Sequence, residues 1–168
     1  MTALVTLRPV TAEDRPWIQA LASHPEVVAT TRMPDPYPPD GAAIWLSWVQ
    51  PRIAAGEEHA FAIEVSSLGS IGLCGLHDVD AAAGRAEAGY WLGRPYWGNG
   101  YASAAANALV SRAFGEIGLR SLAAHALADN LASRRVLEKA GFLLVGSAVS
   151  EVPKWPGRMV CRYRCDRA

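Results

Sequence analysis

The chain has 168 residues, 51% hydrophobic and 19% charged, with 16 basic and 16 acidic side chains and a formal net charge of zero. That balance suits one folded domain with a sizeable core, taken here as residues 1–168, and argues against disorder. It also argues against a nucleic-acid or membrane-surface binder held by bulk charge, so neither partner is expected.

The opening Met1-Thr2-Ala3-Leu4-Val5-Thr6-Leu7-Arg8 shows no basic leader before a long apolar run. The most apolar long segment, 101–114, is too short to span a bilayer and carries Asn107 and Arg112. A cytoplasmic protein is therefore expected. Leu4 to Val10 alternates apolar and polar residues and reads as a first strand. Thr11 followed by Asp14, with Pro16 next, reads as the start of a helix through Trp17, Ile18 and Leu21 to about Ser23. Five prolines between His24 and Asp40 predict a stiff irregular segment. Asp40 is expected to cap a second helix, with Ile44, Trp45, Trp48 and Val49 on its apolar face.

The middle of the chain is strand-rich. His59 to Val65, Ser70 to Val79 and Arg85 to Leu92 form three candidate strands, with turns at Leu68-Gly69 and Ala83-Gly84, which predicts an antiparallel meander. Tyr101 to Ile117 reads as a helix with small apolar residues at helical spacing (Ala102, Ala105 or Ala106, Leu109, Ala113), ended by Gly118. Ser121 to Ala126 is the next strand. Asp129 or Asn130 starts a helix that closes at Gly141, and Phe142 to Ser150 and Met159 to Cys165 are the last strands. The order β-α-α-β-β-β-α-β-α-β-β describes an α/β protein with a mixed, mostly antiparallel sheet flanked by helices. Cys74, Cys161 and Cys165 are odd in number and Cys161 and Cys165 have no neighbouring histidine, so neither a disulfide framework nor a metal site is expected.

The chemistry is signalled at the junction Arg94-Pro95-Tyr96-Trp97-Gly98-Asn99-Gly100-Tyr101-Ala102-Ser103, between a strand and a helix. Two glycines there let backbone N–H groups converge, and the helix N-terminus adds partial positive charge. That combination holds phosphate oxygens without a side-chain cation. About thirty residues on comes Asn130-Leu131-Ala132-Ser133-Arg134-Arg135-Val136-Leu137-Glu138-Lys139-Ala140-Gly141-Phe142.

The two motifs at this spacing, with Leu7-Arg8-Pro9-Val10, Asp14 and the strand Ala86 to Leu92, closely resemble the GNAT family of N-acetyltransferases, nearest the ribosomal-protein-alanine branch. The resemblance spans nearly the whole chain. It implies the GNAT fold and acetyl-CoA-dependent transfer to a primary amine, on a protein N-terminus or a small molecule. It implies that Trp97, Gly98, Asn99, Gly100, Tyr101 and Ala102 cradle the CoA diphosphate. Tyr90, Trp91 and Leu92, on a strand splayed from its neighbour, would pair with the pantetheine arm, and Asn130 would face it. Two positions depart from the family pattern: Pro95 stands where a Gln or Arg is frequent, and Leu137 where many members carry a general-acid Tyr. Dimers are frequent in the family, but no dimer surface is legible here.

The departing thiolate needs a proton or a hydrogen bond, and Ser133 is the candidate donor; otherwise it is a serine in a helix's first turn. Asn130 serves equally as a helix cap. For the base, Glu87 on the cofactor strand and Glu151 after the sixth strand are candidates, with His77 and Asp78 near a strand end, or water alone. An α-amine titrates near about 8 and a lysine-type amine near about 10.4, so absence of a compelling base favours a weakly basic acceptor. Met33, Tyr37 and Trp155 are expected to wall the acceptor site, with Trp45 more suited to the core. Asp35 and Glu151 are candidates for attracting a cationic amine.

Two rivals follow from the same residues. Gly98-Asn99-Gly100 with Ser103 is a degraded dinucleotide fingerprint, but five residues separate it from the strand end, where that turn must be immediate. A non-catalytic acyl-CoA-binding module on the same fold is the other, favoured by Leu137 and Pro95.

Overall fold

The computed structural model describes residues 4–168. Seven strands form one sheet in the order β1-β2-β3-β4-β5-β7-β6. They are β1 (Thr6–Pro9), β2 (His59–Val65), β3 (Gly69–Asp80), β4 (Arg85–Leu92), β5 (Ser121–Leu127), β6 (Leu143–Val149) and β7 (Met159–Asp166). Five of the six pairings are antiparallel and only β4 with β5 is parallel. The helices are α1 (Arg15–Ala22), α2 (Pro25–Ala29), α3 (Gly41–Ala54), α4 (Tyr101–Gly115) and α5 (Leu131–Lys139). This is the mixed, mostly antiparallel α/β order expected from the sequence, with one helix more.

The two faces of the sheet are covered by different helices. Phe61, Ile63 and Val65 of β2 and Ile71, Cys74 and Leu76 of β3 pack with Ala105, Ala106, Leu109 and Ala113 of α4. The alanines hold α4 close to the strands, as their spacing predicts. On the other face Ile18 of α1 and Ala42, Leu46 and Val49 of α3 pack on Ala60 and Leu73, with Trp91 alongside. β2 and β3 are thus buried on both faces, which is why their sequences run nearly unbroken in apolar residues.

The structure corrects three local expectations. Pro25–Ala29 is a short helix inside the proline-rich segment, with His24 accepting from the Glu26 N–H as its cap. Proline at the first helical position starts a helix rather than breaking one. Ile44 and Trp48 are 56% and 45% exposed. The buried stripe of α3 is Ala42, Leu46 and Val49, with Trp45 packed against the same core, so the expected face is right at Val49 and Trp45 and wrong at Ile44 and Trp48; the Arg52 guanidinium stacks 4.3 Å over Trp48 instead. Asp40 precedes α3 without a side-chain capping bond. Smaller shifts occur at element ends: α4 stops at Gly115, and the first strand is confined to Thr6–Pro9.

Candidate active site

The site is organised by where β4 and β5 part. They pair only at Arg85↔Ser121, Ala86↔Leu122 and Glu87↔Ala123. Beyond Glu87, β4 continues with β3 as far as Leu92↔Gly72, and β5 continues with β7 as far as Leu127↔Val160. The backbone of Ala88–Leu92 facing β5 therefore has no ladder partner among the described residues. An extended ligand with amide groups fits such a gap as an added strand.

At the wide end of the gap, a 3-10 turn (Arg94–Tyr96) leads to Gly98 and Gly100, whose φ angles are +78° and +80°. Those values favour glycine. A Cβ at either position meets nothing within 4 Å, so the space before α4 is open. Gly100 caps α4 with no side-chain bond to its first turn. A fifteen-residue helix thus presents its leading N–H groups, with their partial positive charge, to open space beside the gap. The loop is braced from behind. The Trp97 indole donates to the Leu92 carbonyl at 2.9 Å, and the Asn99 amide donates to the Tyr96 and Trp97 carbonyls at 3.3 and 3.0 Å. Arg94 pairs with Glu26 at 2.7 Å and stacks 4.8 Å over Trp97.

Not every predicted contact residue offers the same atoms. The Leu92 side chain is buried and its carbonyl is taken by Trp97. Tyr101 and Ala102 lean on the core, so their backbone is what faces the loop. Trp91 packs on the face of α1 and α3, whereas Tyr90 turns to the opposite face.

There the Tyr90 hydroxyl lies 2.7 Å from the Ser133 hydroxyl in the first turn of α5. Burial pushes the Tyr90 phenol up to about 12, partly offset by that bond, so it remains a proton donor at neutral pH. Asn130 caps α5, its side-chain oxygen accepting from the Ser133 N–H at 3.2 Å. The capping oxygen is thereby committed, and the side-chain NH2 of Asn130 is what it has to offer a ligand.

The other face of the gap carries charge. His77, Glu87, Gly89 and Trp91 share this face by strand parity, and His125 joins them from β5. Glu87 accepts from His125 Nδ1 at 3.0 Å and pairs with Arg32 at 3.1 Å. The His125 bond, against the upward push of burial and with help from Arg32 and His77, holds the Glu87 carboxyl below the usual range. His77 Nδ1 lies 2.7 Å from buried Glu58, and a Cβ on Gly89 would sit 3.2 Å from His77 Nε2. Asp78 takes the left-handed backbone at φ +49°, where β3 bulges beside this cluster.

The remaining predicted residues lie around the loop that joins β6 to β7. Trp155 is buried there, its indole donating to the Ala29 carbonyl at 3.0 Å, so it fixes the loop and walls no open space. Lys154 donates to the carbonyls of Val28 and Met33, both at 2.6 Å. The Met33 segment and this loop are therefore tied together, as walls of one site require. Tyr37 is half-buried over Gly41, where a Cβ would strike its ring. Glu151 is exposed in the loop, apart from the Glu87 ion pairs. Sequence reasoning missed His125, Arg32, Glu58 and Lys154. For His125 a signal existed: Leu122, Ala124 and Ala126 point inward, which turns Ala123 and His125 to the other face.

Residues 5–143 match a family model described as an acetyltransferase (GNAT) domain. The uncharacterized N-acetyltransferase p20 of Bacillus licheniformis is 29% identical over 163 residues, covering 96% of this chain and 91% of that protein. The probable N-acetyltransferase YjcK of Bacillus subtilis is 32% identical over 131 residues, covering 76% and 71%. Among solved structures, the spermidine N-acetyltransferase of Vibrio cholerae in complex with CoA and spermine superposes with a TM-score of 0.86 at 21% identity, covering 96% of this chain and 95% of that one.

Proposed function

The chain belongs to the GNAT family of acetyltransferases, an acetyl-CoA-dependent N-acetyltransferase acting on a primary amine, and from that premise we propose that its acceptor is a weakly basic α-amine, on a peptide or an amino acid. The reading of residues 1–168 as one catalytic unit, of its cytoplasmic location and of its site residues belongs to the same proposal. The cofactor reading rests on one observation: the unpaired edge of β4 runs into the uncapped N-terminus of α4. A long thioester with a diphosphate at its far end fits both at once. The acceptor reading rests on charge. Beside His125 lies an open hollow of about 360 Å³ bordered by Asp78, Arg85, Arg162 and Arg164. Arg85 pairs with Asp80 and Arg164 with Asp166, whereas Arg162 has no carboxylate partner among the described residues. With Asp78 offsetting Arg162 the rim is close to neutral, so it gives a polycation no acidic cluster to bind, and Arg162 suits an acceptor that carries carboxylate or peptide carbonyls. The Vibrio cholerae protein, by contrast, holds spermine.

In this reading the amides at Gly98 to Ala102 hold the diphosphate, with Trp97 and Asn99 bracing them. Backbone groups of Tyr90 and Trp91, and the NH2 of Asn130, bind the arm. Acetyl-CoA supplies the activated acyl group. Tyr90 donates its O–H to Ser133 Oγ, which leaves the Ser133 proton free for the departing sulfur. Met33, Tyr37 and Glu151 stand on the acceptor side, the first two on the segment that Lys154 secures. A homodimer belongs to this proposal too, supported by the apolar side chains of Leu143, Leu144, Val145 and Val149 that β6 leaves exposed. Sedimentation is expected to give twice the 18.0 kDa chain mass, and a monomer at micromolar concentration refutes the dimer.

Turnover with an acceptor panel tests the assignment. Peptides with a free amino terminus should exceed spermidine at least about tenfold in kcat/KM, and the reverse order would overturn the acceptor class. Ser133→Ala should lower kcat about 100-fold, within the range of positioned proton donors. Its acetyl-CoA affinity should stay within about threefold, because binding rests on the loop and the strand. Tyr90→Phe should give a smaller fall of about tenfold, since Ser133 keeps its own proton. Unchanged kcat in Ser133→Ala would remove that residue from the reaction.

A further inference from the structure

We propose that His125 is the base that takes the acceptor's proton, with Glu87 and Arg32 as the pair that orients it; this rests on the acetyl-transfer reading and goes beyond it. The diphosphate end of the gap is fixed by α4, next to Leu92. Each residue back along a strand covers about 3.3 Å, so an arm lying along β4 from Leu92 reaches the narrow end near Ala88 and Glu87 after roughly 13 Å. The acyl end therefore comes to rest where β4 and β5 part.

His125 stands at that point. The last parallel pair is Glu87↔Ala123, and His125 lies two residues further along β5 on the same face as Ala123. Its side chain is 28% exposed, enough to be reached from the acceptor side. The Nδ1 atom is tied to Glu87 at 3.0 Å, which makes Nδ1 the protonated nitrogen and leaves the Nε2 lone pair free. Gly89, also on this face, has no side chain, and the His77 ring lies over it, with Nε2 3.2 Å from where a Cβ would stand.

Glu87 is the less suitable acceptor of the proton. It already receives His125 and Arg32 at 3.0 and 3.1 Å, and both stabilise its charged form. The other charged groups around the pair are His77 and Glu58 on the β3 side, Asp78 at the bulge, and Arg162, which is opposite His125 in the β5–β7 register. His77 is held by a different carboxylate, so the two imidazoles are independently oriented.

The step is a single proton transfer. An N–H bond of the acceptor's ammonium breaks, its electron pair stays on nitrogen, and an Nε2–H bond forms. The resulting imidazolium is balanced by Glu87 and returns the proton to solvent. Without this base, turnover waits on the fraction of acceptor already neutral, which falls as pH drops below about 8.

The test has two arms. In the free protein labelled with 15N, His125 should show the Nδ1–H tautomer, and Glu87→Gln should convert it to a mixture. With acetyl-CoA and a tripeptide bearing a free amino terminus, His125→Gln should lower kcat about 100-fold. It should also move the low-pH limb of the kcat profile up to the acceptor's own titration near about 8 and leave acetyl-CoA affinity within about threefold. A kcat within threefold of wild type with that limb unmoved overturns the proposal, as does an Nε2–H tautomer in the free protein. An upward move of the limb in His77→Gln but not in His125→Gln places the base on β3 and also overturns it. Should no amine be acetylated by the wild-type protein, the acetyl-transfer reading fails by that result alone, and the tautomer still decides whether Glu87 orients His125.

Discussion

A Gly100→Val variant should lose measurable acetyl-CoA binding while remaining folded. Gly100 sits at φ +80° immediately before α4. A β-branched residue there carries a strain of roughly 1–3 kcal/mol. The strain is relieved by rotating the peptide, which turns the leading N–H groups away from their common point. The new side chain meets no protein atom, since a Cβ at this position has nothing within 4 Å. It projects instead into the space that phosphate oxygens need. The two effects act together on the ligand and only the first acts on the fold. Calorimetry should show a loss of at least about 100-fold in affinity, with a drop in Tm of several degrees, at about 2–4 °C per kcal/mol for a chain of this size. Gly115→Ala, at the far end of the same helix and also in open space, is the control and should bind normally. A folded Gly100→Val protein that binds acetyl-CoA within threefold of wild type would remove the loop from the site.

Why this loop was legible and the acceptor side was not comes down to range. Gly98, Gly100, Asn130 and Ser133 do their work within a few residues of a helix start, so local chemistry exposes them. The Asn130 cap on the Ser133 N–H is such a case. The parting of β4 from β5 follows from the resemblance, but no local pattern in Ala88–Leu92 encodes it. His125 and Glu87 are 38 residues apart, and their bond exists only because the parallel register sets Glu87 opposite Ala123. Lys154 and Val28 are 126 apart. Trp155 shows the same limit from the other side. An aromatic residue in a loop reads as a wall for substrate, yet its partner, the Ala29 carbonyl, lies on a helix that the prolines concealed. In the strands, burial on two faces made the pattern of β2 and β3 unambiguous. On α3 a buried stripe of smaller residues lay beside two large exposed ones, and size misdirected the reading.

Asp14→Ala should destabilise the fold by about 3–5 kcal/mol, more than Gly100→Val. The side chain was legible as a cap for the turn at Ala12–Asp14, but its larger role is with Arg8. Arg8 grips Asp14 through two nitrogens at 2.7 and 3.1 Å and reaches Glu64 on β2 at 2.8 Å. The same carboxylate accepts the Thr11 N–H at 2.7 Å and the Trp17 indole at 2.8 Å. At 4% exposure, water cannot replace what alanine removes. The variant leaves the indole, the amide and the guanidinium short of acceptors where α1 begins, and Trp17 packs against the cluster that includes Trp91. Burial alone would raise the Asp14 carboxyl, but Arg8, Thr11 and Trp17 outweigh it and hold the group below its ordinary value. A carboxyl lowered on folding contributes stability that is complete above its unfolded value of about 4 and is lost as pH falls through the folded value. Urea midpoints followed downward from neutral pH should therefore fall through that acid window in the wild type and change less in Asp14→Ala. The variant should start with a Tm lower by about 10 °C at neutral pH. Asp14→Asn keeps an acceptor for Trp17 and should lose less. A Tm within 2 °C of wild type in Asp14→Ala, with an unaltered acid slope, would mean that Arg8 and Glu64 hold β1 and β2 together without Asp14.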